Sequence, residues 1–266
     1  MLDLLRTRLN QGTRTSGFPK EAPEFPERFR GRPAFDASRC GEGCRECVQS
    51  MPSALIQLGG TATMDVGACL FSPEETTACP EGAVSYTREF RMASSTRQGL
   101  RSATGEVELA RALDERTRRL FGRSLRLRSV AAGSCNGCEA ELTALSNVVF
   151  DLARFGVQFV ASPRHADGIV ITGAVSSNMR AALRTTYDAV PDPRLVIAVG
   201  ACAINGGPFR GSPEVGEGVP DDLPVDLWVP GCPPHPMTVL DGLLRLIGRI
   251  EEGSIDSQSR SSSLGH

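Results

Sequence analysis

Leu125-Arg126-Leu127-Arg128-Ser129-Val130-Ala131-Ala132-Gly133-Ser134-Cys135-Asn136-Gly137-Cys138 passes from an alternating apolar run into a glycine-flanked turn carrying two cysteines. Leu125 to Ala132 reads as a strand. Glu139 to Phe155 reads as the helix that follows, with Leu142, Leu145, Val149 and Leu152 on one face and Gly156 as its stop. Beyond it the pattern repeats. Val157 to Ala161 and Gly168 to Thr172 are short apolar strands, and Ser177 to Val190 is a helix stopped by Pro191. Leu195 to Val199 is almost wholly apolar, as a strand covered on both faces is. Val225 to Val229 is the next strand, and Pro236 to Ile250 a helix with proline in its first turn. Strands and helices alternating at this length predict an α/β fold with a doubly wound, mostly parallel sheet over residues 125–250.

Three of these strands run into cysteines set among glycines: Gly133 to Cys138, Gly200-Ala201-Cys202-Ala203, and Pro230-Gly231-Cys232-Pro233-Pro234. Open α/β sheets bind ligands just beyond the carboxyl ends of their strands, so Cys135, Cys138, Cys202 and Cys232 form one candidate metal site. Four converging thiolates suit a tetrahedral zinc or a 4Fe-4S cluster. The flanking glycines favour the cluster, because they let backbone N–H groups approach a large anionic group. Only Cys135 and Cys138 form the kind of close pair that zinc knuckles use twice.

The chain of 266 residues holds nine cysteines, 40% hydrophobic and 23% charged residues, and a formal charge of -2. That composition excludes disorder throughout and gives no overall basic field for nucleic acid. No apolar stretch approaches the roughly 18 to 20 residues of a membrane span, and no secretory apolar core follows the N-terminus, so a cytoplasmic location is expected. There, clustered cysteines bind metal more often than they form disulfides. Residues 1–35 are rich in proline, arginine and glutamate after a short amphipathic start, and read as a strap laid over a surface. Residues 36–86 show little helical periodicity. From Arg88 to Arg128 eleven arginines face five acids, a stretch of net +6 that is either a solvated linker helix or a docking surface for an anionic partner.

The first cysteine set reads as a reduced ferredoxin. Bacterial two-cluster ferredoxins repeat C-x2-C-x2-C-x3-C-P, with the fourth cysteine of each run serving the other cluster. Cys44 and Cys47 keep that spacing, Cys40 lies one residue further off, and the fourth position is Met51 before Pro52. In the second run, Cys69 is followed by Ser72, Glu75 and Cys79-Pro80. One cluster therefore keeps four ligands, Cys40, Cys44, Cys47 and Cys79, with a zinc knuckle or an empty site as the alternative that the shifted Cys40 leaves open. The other position retains Cys69 alone beside Ser72, Glu75 and Met51, and reads as lost.

Gly133-Ser134-Cys135-Asn136-Gly137-Cys138-Glu139, Thr172-Gly173-Ala174-Val175, Gly200-Ala201-Cys202-Ala203 and Pro230-Gly231-Cys232-Pro233-Pro234-His235-Pro236 together resemble the small, electron-transferring subunit of NiFe hydrogenases. The resemblance lies with the membrane-bound, complex-I-related branch that includes formate hydrogenlyase and energy-converting hydrogenases. The homologous 20 kDa subunit of complex I usually has two adjacent cysteines at the first position, where this chain has the hydrogenase spacing. Phe25-Pro26-Glu27-Arg28-Phe29-Arg30-Gly31-Arg32-Pro33 is similar to the approach to the clusters in the ferredoxin-like subunit of the same complexes.

The resemblance implies a flavodoxin-like domain over residues 125–250, with the proximal 4Fe-4S cluster on Cys135, Cys138, Cys202 and Cys232. Ahead of it stand a strap and small α+β ferredoxin-like iron-sulfur domain (1–90) and a basic linker (91–124); a disordered tail (251–266) follows. It implies two 4Fe-4S clusters and an oxidoreductase subunit with no catalytic residue of its own. Its partners are a large hydrogenase or complex I 49 kDa-like subunit and the other ferredoxin-like and membrane subunits. It contacts the membrane indirectly, as a peripheral component on the inner face of the cell membrane. The competing readings are a quinone-reducing complex I relative without NiFe and a zinc-bound structural assembly protein. His165, His235 and His266 are scattered. His235 reads as structural between prolines or as a hydrogen-bonding neighbour of the cluster loop. Glu139 and Glu141 read as favourable charge at a helix N-terminus or as part of a proton route or partner contact.

Overall fold

The structure, a computed structural model, describes residues 2–39, 56–59 and 61–250. Cys40, Cys44, Cys47 and Met51, and with them most of the expected ferredoxin site, lie outside the described residues, as does the expected tail at 251–266. Helix α1 (Leu2–Gln11) leads into an extended segment ending at β1 (Pro33–Phe35). A hairpin of β2 (Ile56–Gly59) and β3 (Thr61–Asp65) precedes the short helix α2 (Pro73–Thr77) and β4 (Val84–Tyr86), which pairs antiparallel with β1. Phe35, Met64, Val66, Cys69, Cys79 and Val84 close a small core between these pieces.

The stretch expected as linker at 91–124 is exposed over about half its length, with Met92, Ala93, Ser94, Leu100, Ala110 and Phe121 buried. Its β5 (Arg101–Ser102) joins β3, and α3 (Glu115–Phe121) is its only α-helix, started by Asp114, whose carboxylate accepts from Arg116 N and Thr117 N at 3.0 and 3.1 Å. Asp65 is 1% exposed and is bound by Arg97 at 2.6 Å and Arg101 at 3.0 Å. Two of the arginines that make the stretch basic thus neutralise a buried acid of the N-terminal hairpin. Ser94 is buried too, and it exchanges both backbone hydrogen bonds with Trp228 at 2.9 and 2.8 Å.

The second unit is a sheet of β6 (Leu125–Ala131), β7 (Val157–Phe159), β8 (Gly168–Thr172), β9 (Leu195–Val199) and β10 (Leu227–Val229), in the order β10-β9-β8-β6-β7, with every neighbouring pair parallel. In chain order that is 2-1-3-4-5, the flavodoxin-like arrangement, whose switch point lies between β6 and β8. All residues of β8 and β9 are buried, because helices cover both faces. Val170 and Ile197 point into a core with Leu240 and Leu244 of α7 (Pro236–Leu246), while Ile171 and Ala198 point the other way, onto Leu183 of α5 (Ser177–Asp188). Ile171 is fully buried, so Ile171→Ala is expected to destabilise the chain by about 2–5 kcal/mol in a denaturant titration. A loss under about 1 kcal/mol would mean that this face is loosely packed.

The helix expected over Glu139 to Phe155 is shorter. Helix α4 (Gly137–Ala144) ends at Leu145, and a separate 3₁₀ turn covers Leu152–Phe155. Asn147 breaks the run: its side-chain oxygen accepts from Val149 N and Phe150 N at 2.8 and 3.1 Å, offering a turn in place of the helical ladder. Leu142, Leu145 and Leu152 are buried as their spacing predicts, whereas Val149 is exposed.

Candidate metal centre

Cys135 and Cys138 follow β6 across the start of α4, Cys202 lies in the short helix α6 (Ala201–Asn205) directly after β9, and Cys232 follows β10. All four stand beyond the carboxyl ends of parallel strands, beside the topological switch point. The loops are cross-tied by backbone: Gly200 N donates to Val229 O at 2.9 Å, Ala201 N to Gly231 O at 2.8 Å, and Ser176 N to Ala132 O at 3.0 Å.

Glycine is needed where these loops meet. Gly200 has φ +92, and a Cβ there would sit 2.6 Å from Cys138 Sγ. At Gly207, φ +53, a Cβ would sit 2.8 Å from Cys202 Sγ. The sulfurs thus lie against bare backbone, on the side from which amide groups can approach.

The four thiols sit within one another's electrostatic reach. Burial pushes the Cys138 thiol well up, and Cys202, Glu139, Cys232 and Cys135 push it further. Burial, then Cys232 and Cys135, raises Cys202 to about 11; burial and Cys135 raise Cys232. Four thiolates here repel one another in a poorly hydrated place, and a cationic metal core is what would compensate them. Among the described residues, no group of three or more His, Cys, Asp or Glu side chains could hold a single metal ion. Four cysteines brought from three loops make a donor set that fits a 4Fe-4S core, one thiolate to each iron. Exposure is uneven: Cys135 is exposed, Cys232 half-buried, Cys138 and Cys202 buried.

Around the thiols, Glu139 binds the β6 loop to β8: its Oε1 accepts from Ser134 Oγ at 2.7 Å and from Thr172 Oγ1, while Oε2 is buried without a hydrogen-bond partner. It does more than place charge at a helix end. His235 caps α7, its Nδ1 accepting from Met237 N at 3.1 Å, and sits edge-on to Phe25, Phe29 and Phe150 at 5.3, 5.5 and 6.0 Å. Burial lowers its pKa, so it is a neutral, structural imidazole. Phe25 and Phe29 belong to the strap, which also buries Phe18 at 2% exposure and is tied down by Arg154 on Phe18 O at 2.8 Å. Phe29 and Arg30, with Phe71, Glu141, Cys232 and Pro233, line a cavity of about 270 Å³. Burial raises the carboxyl of Glu141.

The first cysteine set is represented by Cys79, buried at 9% exposure, whose Sγ accepts from Ala83 N at 3.2 Å. Cys69, Ser72 and Glu75, the positions that the ferredoxin pattern gives to a second cluster, come together. Their hydrogen-bonded arrangement includes Tyr86, which spacing alone did not single out.

Residues 135–246 match the family model described as NADH ubiquinone oxidoreductase, 20 Kd subunit. The chain is 40% identical over 132 residues to a probable membrane-bound hydrogenase subunit of Pyrococcus furiosus, covering 50% of this chain and 79% of that one. It is 40% identical to subunit 7 of formate hydrogenlyase of Escherichia coli, covering 51% and 56% of the two chains. It is 44% identical to an NADH-quinone oxidoreductase subunit of Bacteroides thetaiotaomicron, covering 45% and 60%. The chain thus spans little more than half the length of the last two relatives.

Proposed function

Since the chain belongs to the family of the 20 kDa subunit of NADH:ubiquinone oxidoreductase and is an oxidoreductase subunit, we propose that it relays electrons through a 4Fe-4S cluster held by Cys135, Cys138, Cys202 and Cys232 to or from a large subunit of NiFe hydrogenase type. The observation that carries this is the delivery of four thiols by three strand-end loops to one place, with glycine backbone against two of the sulfurs. A bound cluster supplies one-electron chemistry at low potential. The chain's own residues hold the thiolates, exclude water from Cys138 and Cys202, and leave Cys135 towards solvent, where a partner can approach. The two-residue gap between Cys135 and Cys138 supports the hydrogenase type, formate hydrogenlyase included. A second cluster on Cys40, Cys44, Cys47 and Cys79, in a ferredoxin-like unit, is part of the same proposal, as is peripheral attachment to the inner face of the membrane through other subunits. No helix among the described residues is long and apolar enough to cross a membrane.

Purification without oxygen, iron analysis and EPR after reduction test the reading. About four irons per chain mean one cluster and about eight mean two; zinc in place of iron overturns it. The identity to quinone oxidoreductase subunits, 44% in one case, favours a second reading in which the large partner reduces quinone and has no NiFe. Sequencing the co-purifying large subunit separates the two: both cysteine pairs needed for nickel mean hydrogenase, and their absence means the quinone type.

A further inference from the structure

Glu75 is fully buried, at 0% exposure, in a pocket that the ferredoxin pattern assigns to iron ligands. Its carboxylate takes hydrogen bonds from four directions. Oε1 accepts from Leu70 N at 2.9 Å; Oε2 accepts from Ser72 N at 3.1 Å, Cys69 Sγ at 3.2 Å and Tyr86 OH at 2.5 Å. Burial pushes both the Cys69 thiol and the Tyr86 phenol upwards, with the charge of Glu75 adding to it, so both keep their protons and serve as donors. Backbone amides at 70 and 72, a nest of the kind that can face an anionic cluster, point instead at a carboxylate. Among the described residues the donors to this carboxylate are two backbone amides, a thiol and a phenol, all uncharged.

This charge lies close to the other metal centre. Phe71, between the two amides, donates its own N–H to Cys69 Sγ at 3.3 Å and lines the 270 Å³ cavity together with Gly231, Cys232 and Pro233. Arg28 and Arg30 line the same cavity, and Arg30 Nε donates to Phe71 O at 2.5 Å, so cationic groups partly oppose the carboxylate.

We propose that Glu75 is an electrostatic positioning residue that holds the reduction potential of the cluster on Cys135, Cys138, Cys202 and Cys232 below the value it would otherwise have. The proposal rests on the cluster reading above. Reduction adds one negative charge to the cluster; a fixed carboxylate nearby in a medium of low dielectric opposes that addition, and its removal favours the reduced form. The anion that stands at the ferredoxin pattern's second site thus acts on the cluster of the parallel-sheet unit.

The test is an EPR-monitored redox titration of the full chain, purified without oxygen, with the relevant signal assigned as the one that Cys202→Ser abolishes. Glu75→Gln is isosteric and removes the charge. It should raise the reduced-to-oxidised ratio at the unsubstituted chain's midpoint by roughly three- to tenfold, with iron content unchanged. Glu75→Asp and Tyr86→Phe keep the charge and should stay within about twofold of the unsubstituted chain. Should Glu75→Gln fail to fold, Ser72→Lys sets an ammonium beside the carboxylate at a half-buried position and should move the potential in the same direction. An unchanged potential in Glu75→Gln, or in Ser72→Lys where that variant stands in, overturns the proposal, and so does an equal shift in Tyr86→Phe. Absence of iron and of any cluster signal in the unsubstituted chain overturns the cluster reading itself, and this inference with it.

Discussion

Cys202→Ser is expected to lose a whole cluster, about four irons per chain, while Cys69→Ser loses none. The two cysteines are both buried, so burial alone does not distinguish them. What does is their surroundings. Cys202 lies at the end of β9, in electrostatic contact with Cys232 and Cys135, on a loop tied by Ala201 N to Gly231 O at 2.8 Å. Cys69 is a neutral donor to Glu75 at 3.2 Å, a role that a serine hydroxyl can also fill. Circular dichroism of both variants should match that of the unsubstituted chain, because the parallel sheet rests on apolar burial that neither touches. Equal iron loss at the two positions would break the partition of the cysteines.

Gly200→Ala should have an effect almost as large, through backbone. The added Cβ would fall 2.6 Å from Cys138 Sγ, and the residue would be held at φ +92, outside the regions an L side chain adopts readily. Relief requires either displacement of Cys138 or a turn of the loop away from Gly231, and each moves a proposed ligand. The expected result is loss of the iron equivalent of one cluster with the sheet intact, at a conformational cost of about 1–3 kcal/mol. Full iron retention in Gly200→Ala would mean that the thiols have more room than the structure shows.

Much of the second unit is legible in the sequence because its signals are local. Gly168 to Thr172 and Leu195 to Val199 are apolar runs between turn residues, and both strands have those bounds. The strand-end placement of the four cysteines follows once the alternation is recognised. The overrun at α4 has a cause of one side chain, since Asn147 competes for backbone donors within a stretch whose apolar spacing still suits a helix. The packing of residues 91–110 was beyond reach for a different reason: Asp65 and its arginines are 32 and 36 residues apart, and charge patterning along a chain does not reveal which charges meet. Likewise, the mismatched second ferredoxin run shows that ligands are missing, but Glu75 becomes an acceptor for four donors only once Tyr86 is brought beside it from β4.

The bridge between Ser94 and Trp228 governs how the molecule can grow. An open strand edge invites pairing with any extended chain. Here the outward N–H and C=O of Trp228, at the centre of the three-residue β10, are already taken. At the opposite border the sheet ends in β7, only three residues long. With one flank closed and the other minimal, sheet-to-sheet polymerisation has little foothold.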